Sequence, residues 1–304
     1  MTRLVEVPAQ FDDRSFDQFA AAFAEAGRNG ERLLFDAHAA EWASPFGLVG
    51  LLAAGQAAGH RDTGHAAKPL LTAPTHPDVL GYWTRAGFFR EAAELFEIHG
   101  KIPKVRVTDE SELLLPVTPV HAAEDVHAVV SRIQQRASAI LASELGLDPK
   151  ATMGFAMALS EACQNIVEHA GTGGWAAVQA YNWRRTLGRR VVVIAVGDAG
   201  VGFRHSLEPT QSRRLGDRWG DAAALEAALI QGVSRFRDPG RGQGLAGIRR
   251  YLARWNGKIA IRSGTARIAI VPPWDEDVPL KDGLPLFPGA QVLIIIPEQE
   301  SAER

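Results

Sequence analysis

Apolar and polar positions follow two alternating periods along the first third of the chain. The runs RLVEV (3–7), RLLFDA (32–37) and KPLLTA (68–73) are short and aliphatic, which predicts strands. Between them, SFDQFAAAFAEAG (15–27) repeats apolar residues at helical spacing and stops on Gly27. SPFGLVGLLAAGQAAG (44–59) opens on Ser-Pro, a capping residue followed by a proline suited to a first helical turn. HPDVLGYWTRAGF (76–88) predicts a further helix. A strand–helix–strand–helix order predicts a small α/β domain. The period then changes at LLLPVTPVHAAED (113–125), which carries two prolines. The pattern therefore predicts a first domain (1–115), a linker (116–124) and a second domain (125–300).

The second part opens with two long helical patterns, 125–147 and 152–170, the latter closed by GTGG (171–174). WAAVQAYNW (175–183) and RVVVIAVG (190–197) predict a strand hairpin. Helical patterns return at 220–236 and 238–257, and strands at 258–262, 265–271 and 290–296. A proline-rich excursion, PPWDEDVPLKDGLPLFPG, separates the last two strands; it is expected either to extend a lid or to cap a sheet edge. The fold expectation for this half is helices layered on one face of a mixed sheet.

Composition narrows the classes. Of 304 residues, 46% are hydrophobic and 22% charged, with a net charge of −2. This is the balance of a globular chain and points to neither a nucleic-acid nor a membrane partner. One cysteine, Cys163, precludes an intrachain disulfide; with no basic-then-apolar leader, the expectation is a cytoplasmic protein. Cys163 is expected to be a small buried hydrophobe.

Candidate chemistry starts on the helix ALSEACQNIVEHA (158–170). Phe155, Leu159, Ala162, Cys163 and Ile166 share one side. Glu161, Asn165 and His169 form a second, polar stripe. On an isolated helix such a stripe is usually only solvated. Two glycine segments change that weighting. In VIAVGDAGVGF (193–203) an apolar strand runs into Asp198, then Gly200 and Gly202. A strand-ending aspartate can accept from an exocyclic amine, and glycines let backbone approach a ring or phosphate closely. In GRGQGLAGI (240–248), Arg241, Gly242 and Gly244 precede a helix whose amino end suits an anion. Each segment alone is weak; in this order, on these elements, they are specific.

Together they resemble the GHKL nucleotide-binding superfamily over about residues 125–297, closest to the anti-sigma-factor-like serine/threonine kinases. The resemblance implies a two-layer α/β sandwich that binds ATP with Mg²⁺. It implies that Asn165 ligates the metal and that Glu161 is the general base. It places His169 near the phosphates, Asp198 at the adenine, Gly200 and Gly202 in the nucleotide loop, and Arg241, Gly242 and Gly244 over the phosphates. The implied activity is protein phosphorylation in a partner-switching pathway; a nucleotide-gated binding module and a slow ATPase are the alternatives.

The first domain resembles STAS-like domains, the fold of anti-anti-sigma factors. Ser44 lies near the phosphorylatable serine of that family, but the local sequence is Ala43-Ser44-Pro45 and a helix cap is the favoured role. The implied partner is a regulatory protein of the anti-anti-sigma or sigma-factor kind, and a homodimer is left open. No acidic residue occurs between Pro239 and Trp274, whereas Arg241, Arg249, Arg250, Arg254, Lys258, Arg262 and Arg267 are basic. That run would favour ATP or an acidic surface, although most of its members are expected on a solvated face. Asp12, Asp13, Asp17 and Glu25, with Glu91, Glu94 and Glu97, are expected to offer the first domain's complementary charge in a salt-sensitive contact.

Overall fold

The computed structural model describes residues 2–27, 31–59, 67–104, 114–120, 126–147, 149–165, 170–183, 187–233, 249, 252 and 255–298. The N-terminal half runs β1 (Thr2–Glu6), β2 (Gln10–Phe11), α1 (Phe16–Ala26), β3 (Arg32–Asp36), β4 (Trp42–Ala43), α2 (Pro45–Gly59), β5 (Leu70–Thr72), α3 (Pro77–Arg85), α4 (Phe88–Leu95) and β6 (Glu97–His99). Strands β1, β3, β5 and β6 form a parallel sheet in that order, as a strand–helix alternation requires. The helix expected over 76–88 ends at Arg85. Gly87, at φ 73°, turns the chain into α4.

Helix α2 has no polar face: residues 45–56 are all buried. A helix apolar all round must be covered on every side, and α2 is. Gly50 and Gly55 lie so close to the Phe16 and Phe96 rings that a Cβ would stand 2.2 and 2.1 Å from them. Ser44 starts the helix as expected. Its hydroxyl accepts from the Gly47 N–H at 3.1 Å and donates to the Phe11 carbonyl at 3.4 Å.

The second half continues with β7 (Leu114–Val120), α5 (Val126–Leu145), α6 (Pro149–Asn165), β8 (Gly174–Trp183), β9 (Arg189–Asp198), α7 (Gly202–Leu215), α8 (Asp221–Leu229), β10 (Lys258–Gly264), β11 (Ala266–Ile270), β12 (Leu280–Lys281) and β13 (Phe287–Pro297). The strands build a seven-stranded sheet in the order β12-β11-β10-β13-β9-β8-β7. The α/β class is as expected, and every pairing among the described residues of this sheet is antiparallel. Residues 116–120, read as linker, belong to β7, an edge strand tied back by Val117 N–H to the Ala86 carbonyl and by Arg90 to the Val117 carbonyl. Prolines are tolerated there because an edge strand leaves backbone positions unpaired.

The large sheet is covered on both faces. Val192, Ile194 and Val196 of β9, with Ile294 and Ile296 of β13, face α5, α6 and α8 through Ile133, Ile140, Phe155, Leu159 and Leu225. Alternate residues Val191, Val193, Ala195, Leu293 and Ile295 face the N-terminal half through Phe16, Phe19, Val49 and Leu52. A sheet buried on both sides carries continuous apolar runs, and VVVIAV and VLIII are such runs. Cys163 is fully buried on the helical side, and burial pushes its thiol up to about 12, so it is a core residue. Among the described residues, no helix is long and apolar enough to cross a membrane.

Four carboxylates gather at the join between the halves. Lys258, 1% exposed, reaches Asp13 at 3.0 Å, Asp277 at 3.1 Å and Asp275 at 3.2 Å. Arg262, also 1% exposed, bonds Asp17 at 3.2 Å, and Arg267 bonds Asp277. Burial would lower the Lys258 pKa, but the carboxylates outweigh it and the pKa is raised. The expectation that these basic residues lend positive potential to a nucleotide, or sit on a solvated face, is therefore corrected: their charge is neutralised inside the fold. Asp13 and Asp17 do meet the basic run as expected. Glu97 instead bonds Arg32, and Glu91 bonds Arg90, within the N-terminal half. The proline-rich excursion supplies Asp275 and Asp277 and, through β12, pairs with β11 at the sheet edge.

Candidate functional site

Asp198 closes β9. Its place in the alternation puts its side chain on the face shared with Val192, Ile194 and Val196, the side that carries α5, α6 and α8. The residue is 5% exposed. Its Oδ1 accepts the Gly200 N–H at 2.8 Å, and the Ala290 N–H also donates to the carboxyl. Burial dominates these two bonds and raises the carboxyl to about 7. No cation balances it among the described residues. A carboxylate offers about four acceptor positions, so these two donors leave capacity for a ligand N–H.

The glycines of this turn are there for space. A Cβ on Gly200 would stand 2.1 Å from the Ala170 carbonyl oxygen. The aspartate turn therefore presses against the backbone that follows the polar-stripe helix, and the first two motifs meet in space. Gly202 has φ 72°, and a Cβ there would stand 2.6 Å from Ser263 Oγ. That hydroxyl accepts the Phe203 N–H at 3.1 Å and donates to the Gly289 carbonyl at 2.8 Å, pinning the start of α7.

Glu161 and Asn165 lie on α6, four residues apart and hence on one face, but their side chains are outside the described residues. His169, Arg241, Gly242 and Gly244 lie outside the described residues altogether. Ser263, Gly289 and Gln291 support Asp198 and were not legible as site residues. Gln291, 1% exposed, donates from Nε2 to the Asp198 carbonyl at 2.8 Å. A glutamine at the head of the apolar run VLIII was the available signal.

A cleft of about 350 Å³ opens beside the turn, lined by Gly202, Arg204, His205, Glu208 and Asp221 among others. Asp198 does not line it, so the cleft adjoins the carboxylate without containing it. Among the described residues, no group of three or more His, Cys, Asp or Glu side chains could hold a metal ion.

Residues 123–255 match the family model of the histidine kinase-like ATPase domain. The match supports a GHKL-type, ATP-binding domain over that segment. It spans the polar-stripe helix, Asp198 with its glycines, and the second glycine segment. No curated protein matches the chain.

Proposed function

From a histidine kinase-like ATPase match over 123–255, we propose that this protein binds Mg-ATP and phosphorylates a partner protein on serine or threonine, in the manner of the anti-sigma-factor kinases. The observation that carries the nucleotide part is Asp198: a buried carboxylate without a cation among the described residues, on the helical side of the sheet, with spare acceptor capacity and a glycine turn against Ala170. Asp198 would accept from the exocyclic amine of adenine. Asn165 would ligate Mg²⁺ with a neutral oxygen, suited to a hard cation shared with phosphate. The metal-nucleotide would supply an electrophilic phosphoryl group with its charge partly neutralised. Glu161 would take the proton of the acceptor hydroxyl, and positioning would supply the rest.

The acceptor is sought on another chain. The Ser44 hydroxyl is engaged as a helix cap in a residue 5% exposed, which disfavours it as a phosphorylation site. The N-terminal half is read as STAS-like, on its alternating strands and helices and on the serine-capped α2. Radiolabelled ATP, with and without purified anti-anti-sigma-type proteins, tests the reading. Label on a partner serine or threonine supports it. Phosphate release alone would identify an ATPase, and nucleotide binding without turnover would identify a nucleotide-gated module.

A further inference from the structure

Phe287 begins β13 and has no solvent exposure. Its ring centroid lies 4.9 Å from that of Phe16, 6.2 Å from Phe19 and 5.6 Å from Phe23, all on α1. The Arg262 guanidinium stands 5.6 Å from the Phe287 ring and 5.7 Å from the Phe16 ring, held by Asp17. Aromatic contacts of this kind add directional preference to area burial. The chain then passes directly behind Asp198. Gly289 has φ 71°, and a Cβ there would stand 2.1 Å from the Asp198 carbonyl oxygen. The Ala290 N–H donates to the Asp198 carboxyl. Gln291 Nε2 bonds both the Asp198 carbonyl, at 2.8 Å, and the Pro288 carbonyl, at 3.1 Å. Backbone 288–290 is therefore clamped, with Asp198 on one side and the ring seat of Phe287 at its start.

We propose that Phe287 is a positioning residue for the nucleotide site: seated by Phe16, Phe19 and Phe23 of the N-terminal half, it fixes the 288–290 backbone that aims Asp198 at the base. The inference rests on the nucleotide reading above. It gives the N-terminal half a standing role at the base end of the site. A second tie runs the same way: Gln56 of α2 donates to the Thr172 carbonyl at 2.9 Å, in the loop that follows the polar-stripe helix.

The test is a cycle on the full-length chain, with ATP affinity read by calorimetry and folding by thermal melting. Phe287→Ala is expected to weaken ATP by about tenfold, within the range of couplings between residues in one contact network. Phe287→Leu, which refills most of the space, should recover most of that loss. Phe88→Ala should lower the melting temperature and leave affinity unchanged; Phe88 is equally buried, and its ring contacts are with Trp83 and Phe89. In an Asp198→Asn background, Phe287→Ala should add no further loss. A folded Phe287→Ala with wild-type affinity, or the same loss in both backgrounds, overturns the proposal. Should Asp198→Asn alone bind ATP as tightly as the wild type, the nucleotide reading itself fails. Should Phe287→Ala not fold, Phe16→Leu enters the same cycle, with the same expected coupling and the same overturning result.

Discussion

Asp198 and Asp277 are both aspartates withdrawn from water, and their surroundings treat them oppositely. Asp277, at 9% side-chain exposure, is held by Arg267 and Lys258; burial pulls its pKa upward, but the two cations outweigh it and the pKa falls below the ordinary carboxylate value. Among the described residues Asp198 has only backbone N–H donors, and its carboxyl rises to about 7. The first region is a closed circuit in which every cation is met by a carboxylate inside the fold. The second is open: a carboxyl kept in a dry place with acceptor capacity to spare. Perturbed groups gather both at ion-pair networks and at functional sites, and the partner, not the burial, separates the two here. The basic run 239–274 illustrates the point, because Lys258, Arg262 and Arg267 look like an anion site in the sequence and are consumed by the join between the halves.

The largest expected effect lies at the closed circuit. Lys258→Met leaves Asp13, Asp275 and Asp277 without their shared cation. Removing one partner of a buried pair typically destabilises by about 3–5 kcal/mol. Urea unfolding should show a loss of that size, and a loss under 1 kcal/mol, roughly the ceiling for an exposed pair, would mean the cluster is open to water. Asp198→Asn should do the reverse at neutral pH, holding or raising stability, because it removes an unbalanced buried charge.

Much of the architecture was legible before the structure. The strands at 32–37, 175–183 and 190–197 and the helices at 15–27 and 44–59 carry clean periods, and each forms within a residue or two of its expected ends. Helix α7 was missed because FRHSLEPTQSRRL has almost no apolar face and an internal proline, so no period announces it. Strand β7 was read as a linker because two prolines sit in a pattern that only an edge strand tolerates. The covering of the second sheet face was readable in principle, since VVVIAV and VLIII do not alternate, but the identity of the cover was not: which helices fill that face depends on long-range packing. At the site, Asp198, Gly200 and Gly202 stood out by spacing. Ser263, Gly289 and Gln291 did not, because they act from strands distant in sequence.

The two carboxylates should also respond to pH in opposite directions. Asp198 has a folded pKa of about 7, above its unfolded value near 3.9, so between those values the native state holds a proton that the unfolded state has lost. Stability from this group therefore falls as pH rises from about 4 to about 7, by a few kcal/mol at most. Asp277 is lowered, so its contribution is present above the unfolded value near 3.9 and is lost as pH falls through the folded pKa. Denaturation curves of the wild type and Asp198→Asn should diverge across the first window. Parallel curves would mean that Asp198 titrates normally.

Turnover sharpens the open site next. Glu161→Ala should keep ATP affinity and lose turnover by about 10²- to 10⁴-fold, as expected for removal of a general base. Asn165→Ala should weaken Mg-ATP binding itself. Unchanged turnover in Glu161→Ala would assign the proton transfer elsewhere.

The smallest effect concerns salt. A contact between exposed charges would weaken as salt is added. Lys258 and Arg262 are buried, where screening is much reduced. Raising ionic strength from about 0.05 to 1 M should change ATP affinity and stability by less than about 0.5 kcal/mol beyond the general salt effect seen in a Lys258→Met control. A larger salt-dependent loss would place the join in water.

The most direct measurement is ATP titration of the full-length wild type and Asp198→Asn by calorimetry, with Mg²⁺ present. A charge-assisted acceptor lost from a buried amine is worth about 1.5–3 kcal/mol, or roughly 10- to 150-fold in affinity. A loss in that range, with the variant folded and at least as stable as the wild type at pH 7, is the predicted result. Wild-type affinity in Asp198→Asn would contradict the assignment of the open carboxylate to a nucleotide.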